Sequence, residues 1–180
     1  MTEVVDRQAG DVAAPVTSPA GPVLRSAGFR LLVAGQLVST CGDMFFLVAM
    51  PYLIFATGGG ARLLTATLGA FGLARVLVVL PAGTLTDRIG PRAVMLLADG
   101  VRGVAVGALT LTAVLGHPPA VVLIAVAAVL GAGEGGFQPA SRAMTPLLVD
   151  DAQLPAANSI NVTATMLATM VGPALGGIGV

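Results

Sequence analysis

The chain contains no lysine: its nine basic residues are all arginines, and they are balanced by nine acidic residues, so the formal net charge is zero. The absence of lysine excludes lysine-containing phosphate loops and enzymes that form a Schiff base on a lysine. The single cysteine, Cys41, excludes an internal disulfide and a cluster of thiolate ligands. The zero net charge gives no reason to expect a nucleic-acid partner, and the sequence predicts no metal or cofactor.

Charge of either sign is scarce, whereas apolar residues are abundant. Only 10% of the 180 residues are charged and 56% are hydrophobic, with a mean hydropathy of +0.93. Soluble domains carry about 25% charged residues. A water-soluble core of this size cannot bury so much apolar surface. The composition therefore predicts an all-α polytopic membrane protein, with the lipid bilayer as its main partner.

Five apolar runs are long enough to cross a bilayer, which requires about 20 residues per helix. They predict about five transmembrane helices, at residues 29–57, 63–85, 93–115, 120–140 and 158–180, with Asn158 or Ser159 capping the fifth. Glycines at 58–60 and the turn formers at 116–119 separate neighbouring runs. Residues 1–28 are polar and contain several prolines, so they predict a disordered tail ahead of a transmembrane domain at 29–180.

The placement of arginine predicts the orientation of these helices. Arginines concentrate on the cytoplasmic side of membrane proteins. With the N-terminus inside, only Arg62 lies in an outward-facing loop, and six arginines lie on the cytoplasmic side: Arg7, Arg25, Arg30, Arg88, Arg92 and Arg142. The sequence therefore predicts a multi-pass protein of the inner (plasma) membrane with a cytoplasmic N-terminus.

A short charged loop is predicted between the second and third helices, from Gly83 to Arg92. It resembles the G-x-L-x-D-R-x-G-R-[RK] loop at the same place in the major facilitator superfamily. Pro91 replaces one basic residue, and six positions match: Gly83, Leu85, Asp87, Arg88, Gly90 and Arg92. The resemblance implies that Gly83, Asp87, Arg88, Gly90 and Arg92 belong to a conformational lock. We expect Arg92 and Arg142 to be the partners of Asp87 within this chain.

The resemblance also implies the fold. Members of the superfamily have two six-helix halves, each built from inverted triplets of helices. This chain would supply one triplet and two helices of the next. It ends inside an apolar run, so we expect a truncated N-terminal half whose C-terminal half is missing.

The fifth predicted helix contains Gly172-Pro173 followed by Gly176-Gly177. It resembles the G-P-x-x-G-G motif of the antiporter branch of the superfamily, although Ala168 stands where an earlier glycine is usual. A proline kink beside glycines allows close packing against a neighbouring helix. The stretches 98–102 and 137–159 resemble drug and siderophore exporters of the macrolide-efflux group. Together these resemblances imply a proton-coupled exporter of small molecules.

Five charged residues lie inside predicted helices, where charge is costly and usually functional: Asp43, Arg75, Asp99, Arg102 and Glu134. Asp99 and Arg102 are three residues apart and can pair on one helix face, and Arg75 is a further member of this intramembrane set. Asp43 and Glu134 have no partner nearby in the sequence. A buried carboxylate without a partner can take up a proton near neutral pH. We therefore treat both as candidates for proton coupling, and an ion pair with Arg75 is the alternative.

Small residues recur at four-residue spacing, which permits close approach of helices in lipid. The pairs are Gly103 and Gly107, Ala127 and Gly131, and Gly172 and Gly176.

Two classes of membrane enzyme do not fit the sequence. Residues 99–102 superficially resemble lipid-head-group transferases, but the further aspartates that would hold a metal are missing. An intramembrane serine protease needs a histidine on a helix, and His117 lies in a predicted turn. Neither enzyme class is therefore predicted. A non-transporting membrane fragment remains the alternative to an exporter.

Overall fold

The computed structural model describes residues 23–116 and 118–178, which form five long helices. The helices are α1 (Ala27–Ala56), α2 (Ala61–Ile89), α3 (Pro91–Leu115), α4 (Ala120–Met144) and α5 (Leu154–Ile178), with short 3-10 turns at Thr145–Leu147 and Asp151–Gln153. No strand occurs within the described ranges. The prediction of an all-α helix bundle is confirmed.

Successive helices run antiparallel, so the bundle has two ends. The Gly90 end contains the start of α1, the α2–α3 turn and the α4–α5 connection, and the Gly58 end contains the α1–α2 turn. The break predicted at residues 58–60 is present. Gly58 has a φ of 79°, in the left-handed region that glycine adopts readily.

Four of the helices are long and apolar enough to cross a membrane: α1, α2, α3, and α4 together with its 3-10 turn. The fifth helix, α5, has the same 25-residue length as α3 and α4. Its first half carries Asn158, Asn161 and several threonines, which lower its hydropathy. That α5 also crosses the membrane therefore stays a prediction.

The chain is already ordered before α1, which corrects part of the predicted disordered tail. Val23 is fully buried and packs with Phe29, Leu32 and Ala157. Ser26 caps α1, since its hydroxyl oxygen accepts the N–H of Phe29 at 3.3 Å. The disorder predicted for residues 1–22 lies outside the described residues.

The predicted loop at Gly83–Arg92 is almost entirely helical, which is a second correction. Helix α2 continues to Ile89 and α3 begins at Pro91, so Gly90 alone joins them. Gly90 has a φ of 84° and donates its N–H to the carbonyl of Thr86 at 2.9 Å. Proline fits the first position of a helix because it needs no N–H partner there. A left-handed glycine followed by proline thus reverses the chain without a longer loop.

The connection between α4 and α5 is also shorter than predicted. Helix α4 continues past Ala140 to Met144, and α5 begins at Leu154 instead of residue 158. The Ser159 hydroxyl donates to the carbonyl of Pro155 at 3.0 Å, one turn back, so the predicted cap at Asn158 or Ser159 is wrong. Polar residues suggested a loop here, but several of them are paired inside the bundle, as described below.

Helix α4 is the centre of the bundle, and α2 and α3 both pack along it, whereas α1 packs chiefly on α5. One cluster of buried apolar residues lies near each end of the bundle. Near the Gly58 end, the rings of Phe46 and Phe71 stack at 6.2 Å against the first half of α4. Near the Gly90 end, Val23 and Phe29 pack on the start of α5. The charged residues lie between these two clusters.

Glycines allow α4 to approach its neighbours closely. A side chain at Gly131 would collide with the carbonyl of Phe71, and one at Gly135 would lie 2.5 Å from the carbonyl oxygen of Arg75. Close contact at Gly131 agrees with the predicted small-residue pair on α4. Gly103 and Gly107 on α3 are exposed, and a Cβ added at either one would meet nothing within 4 Å, so this predicted pair makes no close contact with another described helix.

Candidate functional site: a layer of charged residues inside the bundle

Arg102 on α3 is the centre of a layer of charged side chains halfway along the helices. Its guanidinium forms an ion pair with Asp43 on α1, and both side chains are buried. A second nitrogen, Nη1, donates to the hydroxyl of Ser39 at 2.7 Å and lies 3.4 Å from Oδ1 of Asp99. The Ser39 hydroxyl in turn donates to the same Asp99 oxygen at 3.1 Å. One guanidinium therefore joins α1 to α3 through two carboxylates and a hydroxyl.

A second ion pair joins α2 to α4. Nη2 of Arg75 lies 3.2 Å from Oε1 of Glu134. The Glu134 side chain is nearly buried, whereas that of Arg75 is half exposed. An ion pair of this kind holds two helices at a fixed register as long as both groups are charged.

The two ion pairs belong to one layer because Gly133 lets Arg102 pass beside α4. A Cβ at Gly133 would collide with the Cδ and Cγ atoms of Arg102. The adjacent residue, Glu134, interacts electrostatically with the same guanidinium. Helices α1, α2, α3 and α4 thus all contribute a charged side chain to one connected group.

The structure brings together all five intramembrane charges that the sequence singled out. Asp99 and Arg102 do lie on one helix face, but the closest carboxylate to Arg102 is Asp43. Glu134 pairs with Arg75, which was the alternative considered for the two carboxylates. Both candidates for proton coupling therefore have a guanidinium partner. Ser39 and Gly133 were missed, because neither a lone serine nor a lone glycine signals the approach of a distant arginine.

A buried polar network near the Gly90 end was also missed by the sequence analysis. Gln36 on α1 donates to the hydroxyl of Thr165 on α5 at 3.1 Å and accepts from Ser141 on α4 at 3.2 Å. Asn161 on α5 donates to the hydroxyl of Thr145 at 3.1 Å. This network links the α1–α5 pair to α4. It explains why α4 can continue through polar residues that suggested a loop.

The residues of the predicted lock lie at the Gly90 end. Asp87 and Arg88 are exposed on the last turn of α2, Arg92 is exposed on the first turn of α3, and Arg142 is exposed near the end of α4. Among the residues that the structure describes, Asp87 forms no ion pair. The expected contacts of Asp87 with Arg92 and Arg142 are therefore absent from this arrangement of the chain.

The glycine–proline motif of α5 lies partly against α1. A Cβ at Gly172 would be 2.5 Å from Cβ of Met44 and 2.9 Å from the carbonyl oxygen of Cys41, and one at Gly176 would be 3.0 Å from Cβ of Val48. Gly177 faces open space. Pro173 is inside the helix, which continues to Ile178. Two of the three glycines therefore allow close approach of α5 and α1.

A groove of about 600 Å³ lies between α1 and α3, on the side of the charged layer that faces the Gly58 end. Its walls are mostly apolar and include Phe45, Tyr52 and Leu109, while Asp43, Asp99 and Arg102 contribute to its floor. Within the described ranges, no group of three or more histidine, cysteine or acidic side chains could hold a metal ion. The polar residues that line the groove carry carboxylates, a guanidinium and hydroxyls, the last from Ser39, Tyr52 and Thr110.

Comparisons with known proteins agree with this architecture. The family model of the Major Facilitator Superfamily matches residues 32–180. The multidrug efflux pump Tap of Mycobacterium tuberculosis (strain ATCC 25618 / H37Rv) is 32% identical over 160 residues, which cover 86% of this chain and 38% of the pump. The pump of the same name from Mycolicibacterium fortuitum is 28% identical over 164 residues, or 88% of this chain and 38% of that protein. No solved structure matches the chain significantly.

The chain therefore spans little more than a third of the length of these relatives. The family match nevertheless covers most of the chain, from within α1 onward, and includes all five charges of the layer. Apolar helices of membrane-spanning length agree with this family of multi-pass membrane proteins. The chain belongs to the major facilitator superfamily.

Proposed function

We propose that this chain forms part of a secondary active exporter of small molecules that is driven by the proton gradient. The observation that carries the proposal is the layer of five charged side chains inside helices that cross the membrane. Such groups are costly in a membrane, and in transporters they commonly relay protons or bind ions. The similarity to multidrug efflux pumps supports export as the direction of transport.

The proposed coupling groups are Asp43 and Glu134, each paired with an arginine. A carboxylate in an ion pair can bind a proton only if its arginine finds another partner or a charge elsewhere is compensated. Arg102 has such alternatives in Asp99 and Ser39. Exchange of partners around Arg102 would therefore couple proton binding to a relative shift of α1 and α3.

Substrate export requires the rest of the transporter. In transporters of this type the substrate site lies near the middle of the membrane, between the two repeats. This chain would contribute one wall of that site, and a C-terminal half would contribute the other. We propose that the protein lies in the plasma (inner) membrane with a cytoplasmic N-terminus, and the distribution of arginines supports this orientation.

We also propose that Asp87, with Gly83, Arg88, Gly90, Arg92 and Arg142, belongs to a lock on the cytoplasmic side. The exposure of Asp87 and its lack of an ion pair in the described chain leave its carboxylate available to a partner outside it. A partner from the second half would stabilise the state that is closed to the cytoplasm. A contribution of about 1 kcal/mol is enough to shift two states that differ by a few kcal/mol.

Efflux by a full-length exporter that contains this chain tests these proposals. Asp43→Asn and Glu134→Gln should each abolish dye export from energised vesicles while dye binding stays measurable, because each removes a carboxylate whose ion pair with arginine is proposed to take part in coupling. Asp87→Asn in the same assay should lower export and favour the inward-facing state. Asp151→Asn, at an exposed position in the α4–α5 connection, is the control and should export normally. Full export by both Asp43→Asn and Glu134→Gln would contradict the coupling role.

A second candidate is a membrane fragment that does not transport. It is favoured by the coverage of only 38% of the relatives. Vesicles that contain the chain alone distinguish the two. Dye accumulation that collapses with a protonophore indicates transport by the chain itself, whereas its absence, together with transport by the longer protein, identifies this chain as an incomplete part.

A further inference from the structure

The charged layer holds more carboxylates than guanidinium groups. Among the described residues, Asp43, Asp99 and Glu134 form ion pairs only with Arg75 and Arg102, so the five side chains of the layer carry one excess negative charge when every group is ionised. An uncompensated charge within a membrane is costly. Binding of one proton by one carboxylate would bring the layer to neutrality, and the geometry points to the residue at which this occurs.

Two of the three carboxylates already form a close ion pair with an arginine. Asp43 has 7% of its side chain exposed and is the closest partner of Arg102, while Glu134 has 10% exposed and pairs with Arg75. Neutralising either one would leave a guanidinium without its main counter-ion, and removing one partner of a buried ion pair is strongly destabilising.

Asp99 differs from both in exposure and in pairing. Its side chain is 47% exposed, and it shares Arg102 with Asp43 at the longer distance of 3.4 Å. If Asp99 binds the proton, Arg102 keeps Asp43 and Arg75 keeps Glu134. Protonation of Asp99 is therefore the change that removes the excess charge without breaking either close pair.

Asp99 also lies where two cavities meet. The 600 Å³ groove between α1 and α3 extends from Asp99 toward Tyr52 and Ala113 near the Gly58 end. A second cavity of about 410 Å³ extends from Asp99 to Gly28 and Arg92 at the Gly90 end. Asp99 is the residue that lines both. Water entering from the Gly90 end can therefore reach this carboxylate first.

We infer that Asp99 is the residue at which the charged layer binds its proton in this arrangement of the helices, before Arg102 exchanges partners. The inference rests on the proposed proton-coupled export, in which Asp43 and Glu134 take part through their ion pairs. Ser39 and Arg102 both contact Oδ1, which leaves Oδ2 to receive a proton from water. The charge of the layer then changes from minus one to zero. The charged groups around Asp99 are Arg102 on its own helix, Asp43 from α1, Arg92 along the second cavity, and Glu134 of α4 on the far side of Arg102.

Carboxyl signals of the chain in lipid nanodiscs test the inference without measuring export. Carbon-13 labelling of aspartate and glutamate side chains allows each carboxyl to be followed by NMR as the pH is lowered through the neutral range. We expect the carboxyl of Asp99 to be the first in the charged layer to bind a proton, because the geometry leaves it the least committed to an arginine. Asp99→Asn should remove the titrating signal, and Asp99→Glu should restore one from glutamate.

Asp87→Asn is the matched control, because Asp87 is exposed at a helix end and should lose only its own signal. Proton binding at another carboxyl of the layer before Asp99, or an unchanged first-titrating signal in Asp99→Asn, would overturn the inference. The export assay is independent of this measurement. If Asp43→Asn or Glu134→Gln loses export but Asp99 does not titrate, the proposed function is supported and the role of Asp99 is refuted.

Discussion

At the residue scale, the charged layer depends on the absence of a side chain at Gly133. Arg102 reaches Asp43 and Ser39 because its aliphatic carbons lie against the bare Cα of Gly133. A glycine inside a helix costs about 0.5–1 kcal/mol relative to alanine. Glycine is required at position 133 because any side chain there would displace the side chain of Arg102.

Replacement of Gly133 by alanine should therefore destabilise the chain by about 1–3 kcal/mol, the usual cost of inserting an atom into a packed interior. Thermal unfolding of the purified chain in detergent measures the effect. Gly103→Ala on α3 is the matched control, because a Cβ there meets nothing within 4 Å. That variant should be as stable as the parent or slightly more stable. Equal stability of the two variants would show that Arg102 can shift without loss.

At the scale of elements, the contact between α1 and α5 rests on backbone approach at two glycines. A Cβ at Gly172 would meet Cβ of Met44 and the backbone of Cys41, neither of which can move independently of α1. Van der Waals packing is the main source of helix association in lipid. Separation of these two helices would also break the hydrogen bond from Gln36 to the hydroxyl of Thr165.

Gly172→Ala should accordingly weaken the α1–α5 contact and lower stability by about 1–3 kcal/mol. Gly177→Ala lies on the same helix with open space around it and provides the control. Proteolysis of the chain in nanodiscs, followed over time, reports the difference as faster cleavage of Gly172→Ala. If both variants are cleaved at the parental rate, the glycine contact contributes nothing to helix association.

At the scale of the whole molecule, the orientation in the membrane is open to direct test. Single cysteines in a Cys41→Ser background provide labelling sites at the two ends of the bundle. Gly60 is exposed and has free space around it, and Asp150 is exposed and its side chain caps no helix. In intact cells an impermeant thiol reagent should label Gly60→Cys and leave Asp150→Cys unlabelled until the membrane is opened. The reverse pattern would place the Gly90 end outside.

Much of the fold was predictable because membrane helices must satisfy their own backbone hydrogen bonds over a fixed apolar length. The five helices and the turn at residues 58–60 followed from this rule. The ends of the helices were harder to place. Residues 83–92 contain charges and turn formers typical of a loop, yet Gly90 and Pro91 reverse the chain by themselves. Residues 141–144 and 154–157 were predicted outside the helices but are helical, and the hydrogen-bond partners of Ser141 and Thr145 come from distant parts of the chain.

The sequence by itself determined the membrane class, the superfamily and the identity of the five intramembrane charges. Composition, hydropathy and a spaced motif can be read directly from the sequence, without knowledge of which residues are in contact. Only the tertiary structure decided which charges meet. Asp43 and Arg102 are far apart in the chain, and so are Arg75 and Glu134, and nothing local encodes their pairing. Helix packing sets those distances, and it leaves Asp99 as the carboxylate with the least compensated charge.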